Sequence, residues 1–188
     1  TPALLGLGRD VPVGRATPAA IDRRWKARRK APDLAGTLNS AIDGSLAGWL
    51  DAIRPQHPEY AALQKALADL TGVRQRGGWP KVPDGVLKRG VSSRSVVMLR
   101  QRLAATREVA GTSRERGPSS ASFDAAVEAA VRAFQEHHAV KATGVVDAPT
   151  RDAMNVSVDE RIRQVALNLE RWGWQPDDFG DRHLIVHI

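Results

Sequence analysis

The nine-residue stretch Gly77-Gly78-Trp79-Pro80-Lys81-Val82-Pro83-Asp84-Gly85 constrains this chain most. Two prolines withdraw backbone donors and fix φ, and three glycines favour turns, so the stretch can be neither a helix nor a central strand. It reads as a linker and divides the chain. On both sides, apolar residues recur at helical spacing, cut into short lengths by Gly and Pro. Before it, Thr17-Pro18 is a helix start with a hydroxyl cap and Pro at the first position. Ile21 and Trp25 then share a face, and that helix is expected to end near Lys30. Leu34, Leu38, Ala41 and Ile42 mark a second helix, and Leu46, Trp49, Leu50 and Ile53 a third, stopped by Pro55. Tyr60, Leu63, Leu67 and Leu70 mark a fourth, opened by Glu59 and closed at Gly72. Residues 1–15 carry Gly and Pro without a clear period and read as an extended lead-in.

After the linker, Val96, Leu99 and Leu103 mark one helical face. Gly111 to Ser122 is a polar loop. Phe123, Val127, Ala130, Val131, Phe134 and His138 mark a longer face. Gly144 to Asp147 is a turn, and Asp147 caps a short last helix from Ala148 to Met154 with Pro149 in its first turn. Ser157-Val158-Asp159-Glu160 fits a capping box, followed by a stripe of Val158, Ile162, Val165, Leu169 and Trp172. The run His183 to Ile188 reads as a β-strand. The expected fold is mainly α: a helical segment over 1–85, a three-helix domain over 86–156, and over 157–188 a further helix and a terminal β-strand. A lone strand implies that a sheet domain continues beyond it.

Composition limits the chemistry. Hydrophobic residues make up 42% of the 188, enough for a packed core. No apolar run approaches the roughly 18 residues a membrane-crossing helix needs, and Thr1 to Gly8 lack a leader-peptide pattern. There is no cysteine, which excludes disulfides, thiolate metal sites and a cysteine nucleophile within these residues. Six of the 28 basic residues fall in Arg23–Lys30, so against 21 acids the rest of the chain is nearly neutral. That basic run admits nucleic acid, anionic lipid or anionic wall polymer as partners on charge alone. Because Trp25 shares the apolar face with Ile21, a solvated helix face is favoured over a nucleic-acid platform, which is kept as the alternative.

Other candidate sites dissolve on inspection. On a strand, His183 and His187 stand about 13 Å apart, too far for one metal ion with ligands at about 2 Å. Gly6-Leu7-Gly8 lacks the strand and the third Gly of a dinucleotide fingerprint. Ser119-Ser120 sits in a polar loop with no base in sequence reach. No metal and no cofactor are expected.

The central unit resembles the three-helix peptidoglycan-binding domain found beside wall hydrolases and transpeptidases. The residues that carry this are Leu87-Lys88-Arg89-Gly90, Val96 with Leu99-Arg100-Gln101-Arg102-Leu103, and Phe123-Asp124. Ala130-Val131-Arg132-Ala133-Phe134-Gln135, His138, and Thr143-Gly144-Val145-Val146-Asp147 with Thr150 complete the set. Ala139 stands where that family usually has Gly. Arg54-Pro55-Gln56-His57-Pro58-Glu59-Tyr60, Gly77 to Pro80, Asn155-Val156, Asn168 to Trp172 with Trp174, and Asp181 to Ile188 are similar to the scaffold region and first catalytic strand of large L,D-transpeptidases. That family usually has Asn where His187 stands.

The resemblance implies an exported, periplasmic or wall-associated protein whose partner is peptidoglycan glycan or stem peptide. It implies a catalytic domain in cis, carrying a Cys within a Ser-His-Gly-Cys block that these residues lack. The chain as given is therefore expected to bind and position wall polymer without catalysing. The candidate contacts on the three-helix unit are Arg100, Arg102 and Arg132 for stem carboxylates, Gln101, Gln135 and Thr150 for hydrogen bonds, and His138. Gln135 and Thr150 are equally residue types that bond backbone at turns and caps, and His138 continues the apolar stripe.

Overall fold

The computed structural model describes residues 2–25, 33, 45–106 and 120–176. Among the described residues the fold is eight helices without a sheet. They are α1 (Pro2–Val13), α2 (Pro18–Ile21), α3 (Leu46–Ile53), α4 (Pro58–Gln75), α5 (Arg94–Ala105), α6 (Ala125–His137), α7 (Ala148–Asn155) and α8 (Val158–Gly173). The helix expected over Leu34–Ile42, most of the polar loop, the basic residues 26–30 and the strand expected at His183–Ile188 lie outside the described residues.

The chain forms two compact units, one of Thr1–Ala68 with Arg163–Ile188, the other of Asp69–Ile162. In the first, residues 2–13 are helical rather than extended. Pro2 opens α1 with its φ preset, and Gly8 and Pro12, four residues apart, are buried. α1 packs on α3, so tertiary contact overrides a weak local signal. The helix expected from Thr17 to Lys30 stops at Ile21. Asp22 takes an extended conformation (φ −136°, ψ 114°), and its carboxylate accepts from Arg24 N at 2.9 Å and from the Arg24 guanidinium at 2.9–3.3 Å. An Asp side chain bonding the backbone two residues on competes directly with the helix ladder. These bonds hold the Asp22 carboxyl below the usual carboxylate range. Ile21 is 69% exposed, so it does not share a buried face. Thr17 stands at the N-cap with Pro18 behind it, but its hydroxyl makes no cap bond.

α3 begins at Ser45, whose Oγ accepts from Gly48 N, and buries Trp49 and Ile53, while Leu46 is exposed. α4 runs through Gly72 to Gln75. It ends instead at Gly77 (φ +95°), where Gly77 N donates to Arg74 O and Gly78 N to Val73 O, both at 2.9 Å. This is the Schellman pairing, in which a left-handed residue satisfies the last carbonyls. Gly72 is tolerated inside because a helical glycine costs only about 1 kcal/mol.

Contacts within this first unit join residues far apart in sequence. Glu170 Oε1 accepts from Arg15 N at 2.6 Å, Ala16 N at 2.7 Å and Trp174 Nε1 at 3.3 Å. Trp174 meets Trp25 edge-on at 5.5 Å, and Trp172 stacks on His57 at 4.2 Å. Gly173 sits so close that a Cβ there would lie 2.8 Å from Gly14 N.

In the second unit the expected stripes are the core. Val96, Leu99 and Leu103 of α5 meet Val127, Ala130, Val131 and Phe134 of α6, with Phe123, Val146 and Met154. Asp124 caps α6 and Asp147 caps α7, each accepting from the amide three residues on. Glu160 N likewise donates to Ser157 Oγ at the start of α8. Isolated bridges pair Leu87 with Val146 and Ser92 with Ser122. The segment 77–85 is neither helix nor strand, yet it is no free tether. Val82 is buried in the core, and Asn155 clamps it from both sides, accepting from Val82 N at 2.8 Å and donating to Val82 O at 3.0 Å. Trp79 Nε1 donates to Val156 O.

Candidate functional site

The three-helix unit carries all seven candidate residues, and the structure separates them into an inner and an outer set. Arg100 on α5 is buried, donating to Asp124 Oδ2 at 2.6 Å and Ser122 O at 2.9 Å. It ties α5 to the residue that caps α6. Arg102 is 1% exposed. Its Nε donates to Met154 O at 2.7 Å and its Nη1 to Thr106 Oγ1 at 3.2 Å. The guanidinium carbon lies 4.2 Å from the Trp79 ring centroid and 5.5 Å from that of Phe134. A cation held against ring faces away from water is a strong form of this contact.

Gln135 and Thr150 form one buried network. Gln135 Oε1 accepts from Gly144 N at 2.9 Å, and its Nε2 donates to Val145 O, Thr150 Oγ1 and Thr143 Oγ1 within 3.2 Å. The Thr150 hydroxyl donates to Asp147 Oδ1 at 2.6 Å. That bond, then the Thr150 amide, holds the Asp147 carboxyl below the usual carboxylate range. These side chains fix the turn before α7, as buried polar groups must when no water reaches them.

Gln101, Arg132 and His138 form the outer set. Gln101 is exposed on α5. Arg132 is 46% exposed, donating to Ala142 O at 2.7 Å and pairing with Glu128 at 3.1 Å. His138, the half-buried C-cap of α6, tilts on Phe134 at 4.1 Å, and Arg161 Nη2 lies 3.4 Å from its Nδ1. The residue after it, Ala139, adopts φ +54°.

Sequence reasoning missed the partners that place these residues and the segment before them. Trp79 covers Arg102, Asn155 seats the supposed linker, and Glu128 with Arg89 flanks Arg132. Periodicity carries no signal for any of them, because each joins elements distant in sequence or acts at a helix surface. Among the described residues no group of three acids or histidines is arranged to hold a metal ion. None of the described helices is long and apolar enough to cross a membrane. In the basic run, Trp25 meets Trp174 in a T-shaped contact at 5.5 Å.

Residues 1–67 match a model described as "Scaffold domain", and residues 92–154 match one described as "Putative peptidoglycan binding domain". Among curated proteins none matches the chain.

Proposed function

We propose that this chain is the scaffold and peptidoglycan-binding portion of an L,D-transpeptidase-like wall enzyme, holding polymer where peptide cross-links are made. The observation that carries the reading is the succession of two family matches, scaffold at 1–67 and peptidoglycan binding at 92–154. That pairing fits the N-terminal part of such an enzyme. The scaffold-like blocks around His57, Trp79 and Trp172 support it further. The reading divides the chain into 1–85, 86–156 and 157–188, with a catalytic domain in cis, and places it at the cell wall after export. With no cysteine in 188 residues, this chain has no thiolate to form an acyl-enzyme. Its part is to bind glycan or stem peptide and so raise the local concentration of substrate.

Co-sedimentation of the purified chain with sacculi tests this. Retention above that of a control protein of equal charge is expected at low salt, and no retention removes the reading. Incubation with muropeptides should yield neither cross-linked nor trimmed products; turnover by these residues would overturn the non-catalytic assignment.

A further inference from the structure

Arg89, Glu128 and Arg132 form a cationic fork on the surface of the three-helix unit, and we propose that it binds a free carboxylate of the wall stem peptide. The proposal rests on the peptidoglycan reading above and assigns the subsite within it. α6 puts Glu128 and Arg132 one turn apart, with Arg132 Nη2 3.1 Å from Glu128 Oε1. Arg89, from the turn before α5, brings its Nη1 to 3.9 Å from the other oxygen, Glu128 Oε2. Two guanidiniums thus share one carboxylate, and the cluster keeps a net positive charge. Both are open to solvent: Arg89 is 68% and Arg132 46% exposed at the side chain, against 26% for Glu128.

An exposed arginine is commonly just solvated, because holding it still costs side-chain entropy. Arg132 differs in being held already. Its Nη1 donates to Ala142 O, and the guanidinium lies directly on the Gly144 backbone. A Cβ at Gly144 would stand 2.9 Å from Arg132 Nε and 3.1 Å from its Cζ. Gly144 is itself fixed by Gln135 Oε1 and by a φ of +74° that favours glycine. The buried glutamine therefore sets the floor on which the exposed arginine rests. Only two of the five Arg132 N–H groups are used in these bonds. The remainder, beside Arg89, suit a planar anion bound in forked fashion. Neutral sugar hydroxyls and acetamides have no need of an excess cation; the stem peptide's carboxylates do. Arg100 and Arg102, by contrast, have their guanidiniums buried inside the unit.

The test is sacculus co-sedimentation of the full chain at low salt, with folding checked by thermal melting. Arg89→Gln/Arg132→Gln should lose about tenfold in retention, as expected for removing forked charge-assisted bonds. The control Arg76→Gln/Arg94→Gln removes two exposed charges from the same unit and should change retention by less than about twofold. Arg132→Lys, which keeps the charge without the fork, should also bind more weakly. Glu128→Gln should bind several-fold more tightly, since it frees both guanidiniums; this opposite sign decides the matter should the double variant unfold. Sacculi with carboxyls converted to amides should retain wild type and double variant equally poorly. Equal losses in the two double variants, or undiminished binding to amidated sacculi, would overturn the carboxylate subsite while leaving peptidoglycan binding standing. Failure of the wild type to bind untreated sacculi would remove both.

Discussion

The two units of this protein are assembled on different principles. Asp69–Ile162 is one continuous stretch, and its helices start where the sequence supplies caps, at Asp124 and Asp147. Its core is built mainly on stripes visible at helical spacing, with Val82, Leu87 and Val146 added from the segments between helices. The other unit joins Thr1–Ala68 to Arg163–Ile188, and its specific contacts bridge separations such as the 155 residues between Arg15 and Glu170. The contiguous unit can form its core from local pieces. The discontinuous one adds contacts between its two distant stretches, such as Glu170 with Arg15 and Ala16. Polar side chains finish both: in the contiguous unit buried ones lock loops onto helices, and in the discontinuous one the half-buried Glu170 carboxylate ties residues 15 and 16 to α8.

The sharpest way to break this comparison is at Arg102. Arg102→Ala empties the space between Trp79 and Phe134 and orphans Met154 O, and should destabilise the contiguous unit by about 3 kcal/mol. Urea unfolding followed by amide exchange should show the loss at Val82 and the α5–α7 core, with Arg15 and Ala16 unchanged. A loss under about 1 kcal/mol would mean the ring contacts are incidental. Glu170→Ala reverses the pattern. It removes charge-assisted bonds to two backbone amides and an indole, for an expected cost of about 2 kcal/mol. Protection of the Arg15 and Ala16 amides should fall while α5 to α7 keep theirs; unchanged protection would refute the tie through Glu170.

The smallest effect compares two helix ends of the same design. α6 ends like α4, with Val140 N donating to Gln135 O and Ala139 N to Glu136 O, yet Ala139 stands where α4 has Gly77. Ala139→Gly should stabilise by about 0.5–1 kcal/mol, and Gly77→Ala should cost about 1 kcal/mol. Thermal melts that move together in sign would show that the left-handed position does not govern these ends.

Where the sequence was legible, the physics was local. The spacing of Val96, Leu99 and Leu103, the Asp147-Ala148-Pro149 start and the Ser157 cap on Glu160 N all appear in the structure because caps and stripes depend on neighbours within one or two turns. Where it misled, a competing local bond or a distant contact intervened. Asp22 turned the chain out of α2, and packing on α3 kept residues 2–13 helical despite Gly8 and Pro12. Of the candidate contacts, residue type could not tell Arg100 and Arg102 from Arg132. All three are arginines on helices, and only burial divides them.

By itself the sequence determined a mainly helical chain, a three-helix unit after a non-helical segment, and the absence of a thiol. Those properties follow from periodicity, proline geometry and composition, which need no partner at a distance. Only the tertiary structure decided that Val82 belongs to the core, that Glu170 anchors residues 15 and 16, and which arginines face water. Each of these depends on which groups share the same desolvated space, and no spacing along the chain records that.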